Sequence, residues 1–455
     1  MGLFSKKKKQ EEIVDAPLAP QVEPTPSEPS VKKSRHSIGS LFMGDRVIWV
    51  VYFFLCIISL VEVYSAASTL AYKSGHFWEP LVKQALFLAT GTVLAVIIHR
   101  IPCRMFKILP LFLWPLSIML LGVTLLGGSS INGASRWISL GPVQFQPSEL
   151  AKGAVIIAVA LILSRVQREN GADRRAIKQI LFITVVPLLL IVTENLSTTA
   201  LLFGVVFIMM FIGRVPLVQL GKLLGGLTLM GLALSVLIYF STDLPVLHRF
   251  ETWKERIEHH IGGDEDKSKE DPLTYDIDKG AQVAHANIAI ASSNGIGRLP
   301  GNSVQRDFLS QAFSDFIYAV IIEEMGLWGA TGVVFLYVIL LFRAGRIASR
   351  CERNFPAFLI MGLTLLLVSQ AILNMMVAVG LFPVTGQPLP LISRGGTSTL
   401  INCAYIGMIL SVSRYAKQTA TPVHTQFDGP MTDILHTEER RKLSKKRQVA
   451  DNAHA

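Results

Sequence analysis

Apolar stretches about as long as a membrane is thick recur from residue 47 to residue 413, and that recurrence decides the fold class. An α-helix needs about 20 apolar residues to cross a hydrocarbon core ~30 Å thick. Ten candidate spans lie near 47–69, 79–99, 106–127, 149–166, 177–193, 196–213, 217–240, 316–342, 355–379 and 396–413. In lipid, every backbone polar group must be satisfied within its own segment, so these spans are expected to be helices. The expectation is an all-α, polytopic integral membrane protein with ten transmembrane helices. Composition agrees. Of the 455 residues 51% are apolar and 17% charged, against about 25% charged in soluble domains, and the mean hydropathy is +0.45. A soluble globular enzyme, a disordered chain and a disulfide scaffold are excluded.

The net charge of +10 could suggest nucleic acid. Its location argues otherwise, because Lys and Arg sit in the two tails and in alternate short connections, with no aromatic-interleaved basic patch. The second connection carries Arg100, Arg104 and Lys107, and the fourth carries Arg165, Arg168, Arg174, Arg175 and Lys178. The sixth has Arg214 and Lys222, and the eighth has Arg343, Arg346, Arg350 and Arg353. Both tails are therefore expected in the cytoplasm, with the odd connections facing outward. Cys56, Cys103, Cys351 and Cys403 lie in or beside apolar segments without paired spacing, as packing residues do. No cleavable signal is expected, because Lys6–Lys9 leads into acidic and Pro-rich sequence where a signal would turn apolar.

Three parts follow from this pattern. Residues 1–45, with Pro17, Pro20, Pro24, Pro26 and Pro29, cannot bury a core and read as a solvated tail. Residues 46–414 form the membrane domain. Residues 415–455 form a basic tail that is either solvated or attached to anionic lipid or a cytoplasmic partner. Within the domain, the connection 241–315 between the seventh and eighth spans is out of proportion and is expected to be a large outward loop. It opens with a mixed-charge stretch (Phe250–Ile257), continues through acidic residues from Asp264 to Asp278, and closes on Ser314-Asp315-Phe316.

Ionisable residues at membrane depth are functional candidates. Glu149 and Lys152, three residues apart, either pair with each other or serve a ligand. Arg136 beside Trp137 is either an interfacial anchor or a phosphate ligand. Glu194 and Asn195 open a helix, where a cap is the simpler role. Glu323 and Glu324 stand early in the eighth span, where the helix dipole favours acid. The run Phe382–Gly396 is dense in turn formers and ends on Arg394 and two glycines, so it either makes a plain re-entrant turn or cradles an anion. Together these put cations and an acidic loop on one outward half of the bundle. That arrangement suits a lipid-linked phosphate processed outside, and residue spacing alone reaches no further.

Several of these residues lie in long motifs: Gly133-Ala134-Ser135-Arg136-Trp137-Ile138, Phe145-Gln146-Pro147-Ser148-Glu149-Leu150-Ala151-Lys152, Gly301-Asn302-Ser303-Val304-Gln305-Arg306, Ser314-Asp315-Phe316-Ile317, Glu323-Glu324-Met325-Gly326 and the Pro383–Gly396 run. In this order they resemble the SEDS family of bacterial shape, elongation, division and sporulation proteins, over residues 45–415. The Gly-Asn-Ser-Val-Gln stretch and the long N-terminal tail are more similar to the family's division branch than to its elongation branch.

The resemblance implies a peptidoglycan glycosyltransferase that polymerises lipid II outside the cytoplasmic (inner) membrane, at the division septum, and releases undecaprenyl pyrophosphate. It implies a class B penicillin-binding protein and other division proteins as partners. Lipid II flipping and a purely scaffolding role are the alternatives. An external-loop Asp would be the base, and substrate contacts would come from Arg136, Ser148, Glu149, Lys152, Gln305, Glu324, Ser393 and Arg394. Inversion at the sugar is expected, because an α-linked diphosphate donor gives a β-linked product. A divalent cation could assist the pyrophosphate, although no dedicated metal motif is present.

Two departures matter. The family's external-loop pattern of Asp-Pro, a short Gly-containing spacer and Gly-Tyr-Gln ends here as Gly280-Ala281-Gln282, with Tyr275 at the gapless Asp position. Asp278 is favoured as the base, then Asp276, then Asp271 of Asp271-Pro272. The family's Gln-Pro-Asp-Leu-Gly-Thr reads Thr193-Glu194-Asn195-Leu196-Ser197-Thr198, which puts any role of that missing Asp in doubt unless Glu194 covers it.

Overall fold

In the computed structural model the described residues are 43–66, 78–127, 129–131, 134–140, 143–168, 171–173, 175–240, 277–309 and 312–419. Both expected tails, apart from residues 43–45 and 415–419, lie outside them, as do the Phe250–Ile257 stretch, Asp271 and Asp276.

Each of the ten apolar stretches is a helix. In chain order they are α1 (Arg46–Ala66), α2 (Glu79–Arg100), α3 (Leu109–Gly127), α4 (Pro147–Val166), α5 (Ala176–Val192), α6 (Leu196–Ile212) and α7 (Leu217–Phe240), then α9 (Ile317–Ala348), α10 (Asn354–Ala378) and α11 (Thr397–Thr419). Five of them, α1, α2, α3, α9 and α10, are long and apolar enough to cross a membrane on length and composition. Ala176–Val192, Leu196–Ile212 and the stretch Leu217–Leu229 of α7 are shorter apolar helical stretches.

Helix α8 (Ile277–Ser292) lies inside the segment expected to be a loop. Its Ala-rich, mixed sequence carries no long apolar run. It packs on α9 and on the 3₁₀ turn Gln305–Asp307. The all-α expectation needs a second amendment. Strands β1 (Ser129–Ile131), β2 (Ala134–Leu140) and β3 (Val143–Phe145) form an antiparallel sheet in the order β1-β2-β3, with Ile138 opposite Phe145. A two-residue pair, β4 (Gln167–Arg168) and β5 (Gly171–Ala172), lies past the far end of α4. Both sheets sit in connections, where strands can pair outside the apolar spans.

Helix α4 is the axis of the bundle. Nearly every residue from Pro147 to Leu163 is buried, against α3, α5, α6, α10 and α11. Ala151, Gly153, Ala154, Ala158 and Ala160 let the neighbours approach closely, as small residues do between membrane helices. A Cβ at Gly153 would come within 2.8 Å of the Tyr405 ring, so only glycine fits there without a shift. Helix α9 is broken at Gly326, whose φ of 67° is left-handed. The break admits the loop Gly295–Gly297: Leu327 N donates to Gly295 O at 3.0 Å, and a side chain on Gly326 would collide with the Ile296 carbonyl.

Candidate functional site

Two polar regions meet at the end of the bundle where α1 and α3 finish and α4, α9 and α11 begin. The first is built around Lys152. Its Nζ donates to Glu149 Oε1 at 2.7 Å and to Gln370 Oε1 at 2.8 Å, with both charged side chains essentially without exposure. Gln370 Nε2 then donates to Pro388 O at 3.2 Å. The simpler of the two readings of the Glu149–Lys152 spacing, a mutual pair, is therefore present. Tyr405 Oη donates to the backbone oxygen of Glu149 at 2.7 Å and seats the start of α4 against α11. Ser148 is buried at the same turn.

This chain of bonds reaches the Pro- and Gly-rich segment 379–396. Irregular backbone at membrane depth needs partners for its carbonyls, and buried side chains supply them. Ser59 Oγ donates to Ile392 O at 2.7 Å, Asn374 Nδ2 to Gln387 O at 2.7 Å, Asn195 Nδ2 to Thr385 O at 3.3 Å, and Tyr337 Oη to Pro390 O. Ser393 Oγ accepts from Leu389 N at 2.8 Å and donates to Ser314 O at 2.6 Å. Asn195 also caps α6, its Oδ1 accepting from Thr198 N at 3.2 Å.

The segment is thus a fastened turn that presents Arg394. Its backbone N–H donates to Phe313 O at 3.0 Å, and the guanidinium lies 5.5 Å from the centre of the Phe313 ring. The half-buried guanidinium has no hydrogen bond or ion pair among the described residues. Burial lowers its pKa, and the charge of Glu79 opposes that. A cation held this way is available to an anion. Close by, Thr397 Oγ1 donates to Gln144 O at 2.9 Å and joins α11 to β3. Arg136 stands on the adjoining strand β2.

The second region is built around the carboxylates of α9. Glu324 accepts from Gly301 N at 3.1 Å, from Ser303 N at 3.3 Å and from Ser65 Oγ, with Arg306 Nη1 at 3.9 Å. Glu323 accepts from Ser303 Oγ at 2.5 Å and Val304 N at 3.1 Å, with Arg298 Nη1 at 3.9 Å. The two acids therefore order the loop 293–306, beyond any effect of the helix dipole. Gln305 is fixed by His285 of α8, its Oε1 lying 2.8 Å from Nδ1, and His285 stacks on Phe308. Asp278 occupies the first turn of α8, two turns before His285. The Ser314-Asp315 segment links the regions, since Asp315 O accepts from Asn374 at 2.9 Å while Ser314 O accepts from Ser393.

Glu62 of α1 was not among the expected site residues. It has no exposure, neither oxygen has a hydrogen-bond partner among the described residues, and Glu324 is within electrostatic reach. A lone carboxylate between Val61 and Val63 carries the same signal as Glu149 does. Gln370 and Asn374 were also missed, because a neutral amide in an apolar helix announces nothing until its partners are in place. Among the described residues no group of three or more His, Cys, Asp or Glu could hold a metal ion.

Residues 45–418 match the FtsW/RodA/SpoVE family model, described as cell cycle protein. The chain is 32% identical over 371 residues to a Nitrosococcus halophilus protein named probable peptidoglycan glycosyltransferase FtsW, covering 79% of this chain and 89% of that one. A Halomonas elongata protein of the same name is 31% identical over 375 residues, covering 80% and 89%. Among solved structures, one described as a peptidoglycan synthase complex that coordinates polymerization and crosslinking includes a chain that superposes with a TM-score of 0.64. That chain is 27% identical, with 82% of this chain and 99% of that one covered. The rod shape determining protein RodA of Thermus thermophilus superposes with a TM-score of 0.56 at 25% identity, covering 82% and 97%.

Proposed function

The chain belongs to the FtsW/RodA/SpoVE family of cell-cycle proteins, and from that membership we propose that it is a peptidoglycan glycosyltransferase of cell division, polymerising lipid II. The observation that carries the reading is the extent of the likeness. Relatives named for this activity align over 89% of their own length. The ten helices are read as ten spans with α8 on the outward side, and both termini in the cytoplasm. The Lys and Arg residues clustered at the ends of α2, α4 and α9 support that orientation. A class B penicillin-binding protein is the proposed partner, in line with the synthase complex whose chain this one resembles.

The chemistry follows from the proposed roles. The Asp278 carboxylate takes the proton from the acceptor hydroxyl, whose oxygen attacks the anomeric carbon of the donor as the bond to diphosphate breaks. One displacement inverts the α-linkage to β. Undecaprenyl pyrophosphate departs with its charge met by Arg394 and by Arg136 on β2. Lys152, closed between Glu149 and Gln370, serves as the strut that holds the Arg394 turn in place. Glu324 and Gln305 hold the loop that borders α8.

The test is glycan formation from purified lipid II by the full chain co-purified with its penicillin-binding partner, beside Asp278→Ala, Asp276→Ala and Asp271→Ala. Polymer from wild type and none from folded Asp278→Ala is the expected result. Loss only in one of the other two variants moves the base to that residue. Transport of labelled lipid II across vesicles by wild type without polymer overturns the enzyme reading in favour of a flippase.

A further inference from the structure

At the opposite end of the bundle, far from Arg394 in every helix, a cleft of about 270 Å³ opens between the 3₁₀ turn Cys103–Lys107, the start of α10 and the end of α11. Four cations line it, Arg104, Lys107, Arg353 and Arg414, and no carboxylate does. Like charges gathered this closely repel one another, and the described residues supply little to offset them. Among the described residues none of the four has an acid within ion-pair distance. The contacts they do make are weak or neutral. Lys107 Nζ lies 5.5 Å from the centre of the Phe355 ring, and Arg414 Nη2 donates to Arg100 O at 2.9 Å. Neighbouring Glu352 does not line the cleft.

The N-terminus of α10 opens into the same space. Phe355 and Pro356 line the cleft, and no side chain caps the helix. The dipole of a 25-residue helix therefore adds positive potential at the point where the four cations converge. The surface beside the mouth is of the other kind. Met105, Ile108, Leu111 and Phe112 run from the 3₁₀ turn along the first turns of α3, each more than half exposed. A phosphate group answers the cleft, and hydrocarbon answers the strip next to it.

We propose that this cleft binds an anionic phospholipid, its phosphate among Arg104, Lys107, Arg353 and Arg414 and its acyl chains along the exposed face of α3. Basic pockets between membrane helices hold anionic head groups by this combination of charge and adjoining apolar surface. The site is independent of the glycosyltransferase reading. It lies at the other end of the bundle and shares no residue with the machinery described above.

Native mass spectrometry of the full chain in detergent tests the proposal, with dioleoylphosphatidylglycerol, dioleoylphosphatidylcholine or inorganic phosphate titrated in. The wild type is expected to retain one phosphatidylglycerol in preference to phosphatidylcholine. Arg104→Gln and Arg353→Gln, both exposed positions, should each weaken retention by roughly fivefold, about the worth of one charge near an anionic surface. Arg353→Gln/Arg414→Gln should weaken it further. Lys178→Gln removes an exposed cation at the same end, outside the cleft, and should leave retention unchanged. A melting curve for each variant separates lost binding from lost fold. Equal retention of phosphatidylcholine, an equal loss in Lys178→Gln, or displacement of the lipid by equimolar inorganic phosphate or by an acidic peptide would overturn the proposal.

Discussion

Lys152 and Glu62 are both ionisable, both on helices and both fully buried, yet their surroundings are opposite. Lys152 has two acceptors, one of them charged, and through Gln370 it reaches the turn that carries Arg394. Glu62 has no hydrogen-bond partner among the described residues and faces the charge of another acid. A buried charge costs several kcal/mol unless it is paired and hydrogen-bonded. Around Lys152 that cost is offset locally, so the region behaves as framework. Around Glu62 no hydrogen bond from the described residues offsets it, so that side of the bundle holds polar capacity which the described residues do not use. Glu324, between the two extremes, spends its oxygens on ordering the loop 301–306.

Substitutions can break or sharpen this contrast. The largest effect is expected for Lys152→Met, which leaves Glu149 charged and buried without its partner. Thermal unfolding in detergent should show a loss of about 3–5 kcal/mol, and adding Glu149→Gln should restore most of it. Stability unchanged by Lys152→Met would mean that the pair is not a strut. Glu324→Gln should cost less, about 1–3 kcal/mol, because an amide oxygen still accepts from Gly301 or Ser303 while the charge facing Arg306 is gone. Limited proteolysis within 293–306 should report that loosening. Asn195→Ala should cost about 1 kcal/mol, the worth of a helix cap, and is read from the same unfolding curves. Glu62→Gln should cost no stability at all, because it removes a buried carboxylate that has no hydrogen-bond partner among the described residues and so breaks no bond. A loss for Glu62→Gln as large as that for Lys152→Met would erase the distinction between the two regions.

Apolar runs located ten helices because a helix satisfies its own backbone and needs only length and hydrophobicity to be recognised. Helix α8 offered neither signal. It is stabilised by packing on α9 and on the 3₁₀ turn at Gln305, contacts that appear only once the chain is folded. The pairing of Glu149 with Lys152 was readable from a spacing of three on one helix, whereas the part played by Gln370, 218 residues away, was not. The same holds for Gly326. In sequence it is one glycine in an apolar run, and its left-handed φ has a purpose only because Gly295–Gly297 packs into the break. The sheet β1–β3 escaped notice for a related reason, since the motif around Arg136 reads equally well as an anchor or a ligand until strand pairing is known. The side chain expected to do the chemistry was chosen by a displaced motif, Gly280-Ala281-Gln282, and its helix is now in view.

The central claim is that chemistry and framework are separable at this end of the bundle, with Asp278 carrying the first and Lys152 the second. Lipid II polymerisation and thermal unfolding measured on the same preparations of wild type, Asp278→Asn and Lys152→Met, each bound to the penicillin-binding partner, test it most directly. Asp278→Asn should unfold at the wild-type temperature and make no glycan, while Lys152→Met should unfold earlier. Glycan from Asp278→Asn at the wild-type rate, or a fall in its unfolding temperature as large as that of Lys152→Met, would contradict the account.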